Sequence, residues 1–453
     1  MSASGNLTEK GDLTRGPITS TLLKFTMPMM ACSLLQQCYN IADTFIVGQF
    51  LGSGALAAVG SAYAFMVFLT SILIGLSLGS GTLFSMLYGA GKKQELKRYI
   101  FTSFVLTGSV ALALAIAALG LLHPILRLLQ TPQEIYSMMY DYLWMIFCGI
   151  IFTFLYNFYT ALLRAVGDSV TPLWFLAASV ILNIGLDLLF ILSFGWGIKG
   201  AAWATVISQA AAGTGIMFHT ILKRPELRVK RAEMQFDSKS VRQIAAFSSL
   251  TCIQQSVMNF GILLVQGLVN SFGTAVMAAF AAAVKIDSFA YMPVQEFGNA
   301  FSTFVAQNFG AKKHERIRQG VKSAFLTTTL FSLAVSALVV IFARKLMLVF
   351  IRPSEVEILS VGMDYLRIEG AFYVGIGILF LLYGYYRAID KPSMSVLLTV
   401  LSLGTRVALA YWGASIASIG VDAIWWSIPI GWAIADFVGI AFYRKYFPKF
   451  RRQ

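Results

Sequence analysis

Apolar runs of about 20 residues or more recur along the whole chain, and each is long enough to cross a ~30 Å hydrocarbon layer. No other feature restricts the fold as strongly. A segment in hydrocarbon must satisfy its own backbone polar groups, so only helices or closed barrels cross. Barrel strands alternate residue by residue, whereas these runs are continuous. The expectation is an all-α integral membrane protein with twelve spans, at roughly 20–48, 56–88, 98–121, 134–163, 171–194, 199–222, 241–270, 275–309, 317–342, 355–386, 393–415 and 422–447. Composition agrees. Only 12% of the residues are charged, against about 25% in an average soluble domain.

The net charge of +14 invites a nucleic-acid reading, but the placement of the charges opposes it. Of the 35 Lys and Arg residues, 27 fall on one side of the twelve-span arrangement and 5 on the other. That is the positive-inside bias of a membrane protein, and it places both termini in the cytoplasm of a cell (inner) membrane protein. The polar N-terminus, carrying Glu9, Lys10, Asp12 and Arg15, does not read as a cleavable signal peptide. The four cysteines, Cys32, Cys38, Cys148 and Cys252, all lie in apolar spans and read as small hydrophobes. His123, His219 and His314 are scattered, and no phosphate-binding loop occurs. The expectation is therefore no enzyme activity, no organic cofactor and no ATP drive.

The sequence repeats itself at a spacing near 220. Gln36-Gln37 recurs as Gln254-Gln255, Gly52 as Gly273, Gly89-Ala90 as Gly310-Ala311, Arg164-Ala165 as Arg387-Ala388, and Gly197 with Trp203 as Gly420 with Trp426. Six spans per half give both halves the same topology, so two pseudo-symmetric six-helix bundles are expected. The divisions are a tail at 1–19, a first bundle at 20–222, a basic linker at 223–240, a second bundle at 241–447 and a tail at 448–453. Two such bundles leave a cleft that rocking exposes to alternate sides, which suggests transport. A non-transporting membrane scaffold is the contrasting reading.

Two carboxylates stand inside the spans: Asp43 in the first and Asp187 in the fifth. An ionisable group costs at least ~2.5–3.5 kcal/mol at the bilayer centre, so it marks function. Asn40 and Asp43 share a face at i, i+3, and Asn183 and Asp187 share one at i, i+4. With Thr205 they offer carboxylate, amide and hydroxyl oxygens, which hard cations prefer. Two acids in one dry pocket also titrate as a pair, so either H⁺ or Na⁺ fits as the coupling ion. Pro28 removes a backbone hydrogen bond in span 1 and allows a hinge there. Gly75, Gly79 and Gly81 point to close helix packing. In the second half, Lys285 and Asp287 point to different faces of span 8, Lys285 being a cavity candidate. Glu369 lies in span 10, and Arg406 in span 11 invites a partner such as Asp436.

The six-plus-six plan resembles the MATE (multidrug and toxic compound extrusion) family. So do Asn40-x-x-Asp43, Gly89-Ala90-Gly91-Lys92, Leu182-Asn183-x-x-Leu186-Asp187 and Gly195-x-Gly197-Ile198-Lys199-Gly200-Ala201-Ala202. The resemblance covers essentially the whole chain. It implies cation-coupled antiport of organic, often cationic, compounds. It also implies the branch often called DinF-type, in which Asp43, Asn183, Asp187 and Thr205 fall on the cation-site positions and Pro28 on the bending proline. For such substrates a cavity of aromatic and flexible apolar side chains is expected, with Tyr39, Tyr63, Met66, Phe154, Met258, Lys285, Phe289 and Met292 as candidates. A functional monomer in a lipid bilayer is expected. The alternative within the superfamily is a lipid-linked oligosaccharide flippase.

Overall fold

A computed structural model describes residues 11–128, 131–416 and 420–450. Its helices are α1 (Ile18–Gly52), α2 (Gly54–Gly89), α3 (Lys93–Gly120), the short α4 (Leu122–Leu128), α5 (Gln133–Cys148), α6 (Ile150–Ala165) and α7 (Val170–Leu188). A π-helical turn, Leu189–Ser193, prolongs α7 before α8 (Gly197–Lys223). Then come α9 (Ser238–Asn270), α10 (Thr274–Gly310), α11 (His314–Met347), α12 (Val356–Ala371), α13 (Tyr373–Ala388), α14 (Pro392–Ala414) and α15 (Asp422–Phe450).

Among the described residues, nine helices are long and apolar enough to cross a membrane, or eleven if each of two bent pairs is one span. The bent pairs are α5 with α6, at 46°, and α12 with α13, at 52°. The remaining expected span is α8, 27 residues rich in Gly, Ala, Ser and Thr. All twelve expected spans therefore coincide with helices.

The duplication is visible in the turns. Gly52, Gly91, Gly167 and Gly197 adopt left-handed φ values of 82°, 69°, 85° and 57°. Their counterparts in the second half are Gly273 (96°), Lys312 (56°), Asp390 (63°) and Gly420 (58°). Left-handed backbone crowds a Cβ, so glycine is the default. Lys312 and Asp390 hold that shape without glycine, which shows how firmly the duplicated turn geometry is kept.

The chain forms two compact units. Among the described residues the first comprises residues 11–12 and Met27–Cys252, and the second comprises Leu13–Thr26 and residues 253–450. The sequence put the join in the linker, yet two helices change hands part-way: α1 at Thr26–Met27 and α9 at Cys252–Ile253.

In the first unit, Gly75 and Gly79 bring α2 against the start of α9. A Cβ on Gly75 would lie 2.6 Å from Cys252 Cα, and one on Gly79 would lie 2.6 Å from the Phe247 carbonyl oxygen. Helices in lipid associate through such close approach and through buried polar contacts. Here Ser80 bonds Ser248 at 3.0 Å and accepts from Ser103 at 2.6 Å, and Tyr99 donates to Gln243. An aromatic core of Phe84, Phe104, Phe154 and Phe158 fills the interior, with ring centroids 5.3–6.0 Å apart. In the second unit, α10 and α13 meet the same way. A Cβ on Gly384 would lie 2.5 Å from the Gly298 carbonyl oxygen.

Candidate functional site

The first unit brings Asp187, Asn183 and Thr205 together. Asn183 and Asp187 share one face of α7, and both are fully buried, with Thr205 of α8 opposite at 4% exposure. Oriented so that both its atoms are satisfied, the Asn183 amide donates to Asp187 Oδ2 at 3.0 Å and accepts from the Thr205 backbone N–H at 3.2 Å. The Tyr39 hydroxyl, from α1, lies 3.4 Å from Thr205 Oγ1. Asp43 is half-buried on α1, one helical turn beyond Tyr39. Its charge acts on Asp187 and on Tyr39, and both carboxylates act on the buried Tyr142 of α5. Asp187 Oδ1 is buried and has no hydrogen-bond partner among the described residues. Buried polar atoms are nearly always satisfied, and an orphaned carboxylate oxygen is costly. The π-helical turn begins two residues beyond Asp187, and such turns are frequent at functional sites.

Every near ligand is an oxygen, which fits a proton or a hard monovalent cation. Among the described residues no group of three or more His, Cys, Asp or Glu is placed to hold a metal ion. Two carboxylates with neutral oxygens can be neutralised by one or two single positive charges.

Asn40 does not join this group. Its amide donates to Gln37 Oε1 at 3.1 Å, one turn back along α1. Tyr39, expected as a substrate contact, reaches Thr205 instead. Phe154 is 1% exposed and packs at a tilt against Phe104 and Phe158, so it is a core residue and no cavity wall. The other first-unit candidates are accessible, Tyr63 exposed and Met66 half-buried. In the second unit Lys285 and Phe289 are exposed, while Met258 and Met292 are half-buried. Tyr142 was missed at the sequence level. Aromatic residues are common in every span, and nothing local distinguishes this one.

The second unit has its own buried acids. Asp287 of α10 and Glu369 of α12 are 8% and 4% exposed, and Arg406 of α14 acts on both. The sequence suggested Asp436 as a partner for Arg406; the structure gives it Asp287 and Glu369. In the same unit the Phe280, Tyr365 and Trp425 rings pack together, with centroids 4.9–5.5 Å apart.

The fold and site define a multi-pass helical membrane transporter of two duplicated halves, with buried carboxylates in each. The MatE family model matches residues 28–189 and again 251–412, and the chain belongs to this family. The two matches are offset by 223 residues (251 minus 28), as the internal repeat requires. The chain is 30% identical to the probable multidrug resistance protein YpnP of Bacillus subtilis, covering 86% of this chain and 87% of that protein. It is 27% identical to the probable multidrug resistance protein YoeA of the same organism, covering 93% and 92%. The solved structure described as MATE in complex with MaL6 superposes with a TM-score of 0.92 at 22% identity, covering 98% of this chain and 100% of that one. Members of the family are transporters and not enzymes, acting on small molecules in a lipid bilayer.

Proposed function

We propose that the protein is a secondary active multidrug exporter. It moves organic, often cationic, compounds out of the cell against an inward flow of H⁺ or Na⁺, with Asp43, Asp187, Asn183, Thr205 and Tyr39 as the coupling site. The observation that carries the reading is the orphaned, buried Oδ1 of Asp187 within an all-oxygen set. Such a carboxylate is costly to keep ionised, and one positive charge relieves that cost. A ligand shifts a conformational equilibrium only through a difference in its affinity for the two states. A site whose burial changes as the bundles alternate supplies that difference. The Asn183 amide aims Asp187, and the Thr205 hydroxyl and Tyr39 add neutral oxygens without adding charge.

The protein is read as a monomer of the cell membrane with both termini cytoplasmic, on the strength of the 27-to-5 charge bias. Relatives named as multidrug resistance proteins favour drug export over the flippase reading. The test is efflux of a cationic dye from proteoliposomes under separately imposed Na⁺ and pH gradients. Accumulation driven by one or both supports the reading, and dye movement indifferent to both sinks it.

A further inference from the structure

The first unit has a cleft of about 620 Å³ where the linker meets the start of α3. Its charged lining is Lys92, Lys93, Glu95 and Arg98 from α3 and the turn before it, with Asp237 and Lys239 at the start of α9. Four cations stand against two acids there, a net charge of +2. The acids are already engaged. Glu95 takes Lys92 at 2.8 Å and Lys239 at 3.9 Å. Asp237 Oδ1 accepts from the Ser240 N–H at 2.8 Å, capping α9, and the Arg98 charge acts on the same carboxylate. Lys93 has no acidic partner among the described residues.

In the second unit the equivalent place is filled by the chain itself. At the repeat offset of 221, Lys92 and Glu95 correspond to Lys313 and Arg316. Lys313 Nζ donates to the Thr14 carbonyl at 2.7 Å. Arg316 donates to the carbonyls of Leu13, Arg15 and Gly16 at 3.2, 2.6 and 2.7 Å. The segment leading into α1 thus supplies oxygens to the cations there. In the first unit the segment leading into α9 also approaches its neighbour, with Lys97 pairing Glu233 at 3.4 Å and Tyr99 donating to Gln243. It adds a further cation, Lys239, and leaves the cleft open.

Beside the charges lies an apolar step. Phe236 is 57% exposed and Met234 47%. Phe236 packs on Phe101, with ring centroids 5.2 Å apart. Phe101 lies eight residues into α3 from Lys93, which is about 12 Å along the helix. Because α3 is a membrane span that starts at Lys93, the cations stand where it leaves the hydrocarbon and the aromatic pair stands deeper. Charge at the boundary followed by apolar surface further in is the order of groups in a phospholipid, headgroup first and acyl chain after. A soluble phosphate has nothing to place on the aromatic step.

We propose that this cleft binds the headgroup of an anionic phospholipid. Lys93, Arg98 and Lys239 hold the phosphate, and the exposed face of Phe236 meets the acyl chains. The bound headgroup supplies the negative charge that the cleft lacks, and it ties the linker and the start of α9 to α3 inside the first unit. No residue of the coupling site takes part, so the inference stands apart from the export reading.

The test uses the full chain in a neutral detergent, titrated with dioleoylphosphatidylglycerol or dioleoylphosphatidylcholine, with bound lipid counted by native mass spectrometry. The parent should bind phosphatidylglycerol about tenfold more tightly or better, because each cation near an anionic headgroup changes binding about fivefold. Lys93→Gln with Arg98→Gln should weaken that binding on the order of 25-fold and leave phosphatidylcholine within about twofold. Lys223→Gln with Arg228→Gln removes the same charge from exposed positions outside the cleft and should change binding by less than about twofold. Phe236→Ser alters a largely exposed position, so it serves if the cleft double variant does not fold. It should weaken phosphatidylglycerol about fivefold. Inorganic phosphate in excess should not displace the lipid. Equal binding of the two lipids, or an equal loss in the Lys223 and Arg228 control, overturns the site. Displacement by phosphate, or unchanged binding in Phe236→Ser, overturns the lipid assignment and leaves a site for free anions.

Discussion

Each unit holds a pair of buried or half-buried acids, and the two pairs have different surroundings. In the first, Asp187 accepts from the Asn183 amide, with Thr205 and Tyr39 beside that pair. In the second, Asp287 and Glu369 have Arg406 acting on both. A buried charge needs a partner. The second unit supplies one to Asp287 and Glu369, while no cation acts on its buried Asp436 or on Asp187 of the first. The lesson is that the number of buried acids does not identify a coupling site. An acid on which no internal cation acts is the better candidate, and Asp187 adds to this an amide and a hydroxyl beside it.

The sharpest way to break this comparison is to neutralise each pair separately. The Asp43→Asn, Asp187→Asn double variant should lose gradient-driven dye efflux by well over tenfold, because a coupling ion must discriminate between states by roughly that factor or more. Asp287→Asn with Glu369→Gln should cost less in efflux and more in melting temperature, since it leaves the half-buried Arg406 without its acids. The reverse order of efflux losses would move the coupling site to the second unit.

A smaller effect tests the neutral ligands. Thr205→Val keeps the shape and removes one oxygen, worth about 0.5–1.5 kcal/mol. The Na⁺ concentration or pH giving half-maximal efflux should shift accordingly, with the maximal rate retained. An unchanged midpoint would remove Thr205 from the site.

A third difference lies in the loops. Asp168 of the first unit accepts from the Thr171 N–H at 3.0 Å, the Thr171 hydroxyl at 2.8 Å and Arg224 Nη2 at 2.7 Å. Its repeat counterpart, at the offset of 223 that links Arg164 to Arg387, is Lys391. Burial alone would raise the Asp168 carboxyl, but these donors outweigh it and hold it below the usual range. A depressed acid stabilises the fold above its unfolded pKa, and that contribution is lost as pH falls through the lowered folded value. Asp168→Asn should therefore destabilise by about 1.5–3 kcal/mol at neutral pH, with the gap to the parent closing below about pH 4. Thermal melts in detergent across that range check it. Least of all, Asp141→Asn removes an exposed pair with Lys199 at 3.2 Å. It should leave efflux within about twofold and stability within about 1 kcal/mol.

Much of this was legible in the residues. Span length fixed the helices, the recurrence near 220 fixed the two halves, and the i, i+4 spacing of Asn183 and Asp187 fixed their shared face. What a helical period cannot report is what lies opposite that face. Asn40 has the right spacing to Asp43, yet its amide takes the nearer partner, Gln37. Phe154 looks like any cavity aromatic, yet Phe104 and Phe158 pack against it in the core. The nearness of Tyr142 to Asp43 and Asp187, 99 and 45 residues away in sequence, leaves no local trace. The exchange of α1 and α9 between units is hidden for the same reason, although Pro28 stood beside it in plain view.

That exchange has a consequence for how the chain is made. Synthesis runs from the N-terminus, and domains ordinarily fold in that order as they emerge. Here the first unit is incomplete until Cys252 has left the ribosome. The segment from Leu13 to Thr26 meanwhile has no docking surface until Gln307 to Arg316 have followed it into the membrane. The first piece made is thus among the last to be seated, and a ribosome that stalls in the linker releases a bundle with its leading end still loose.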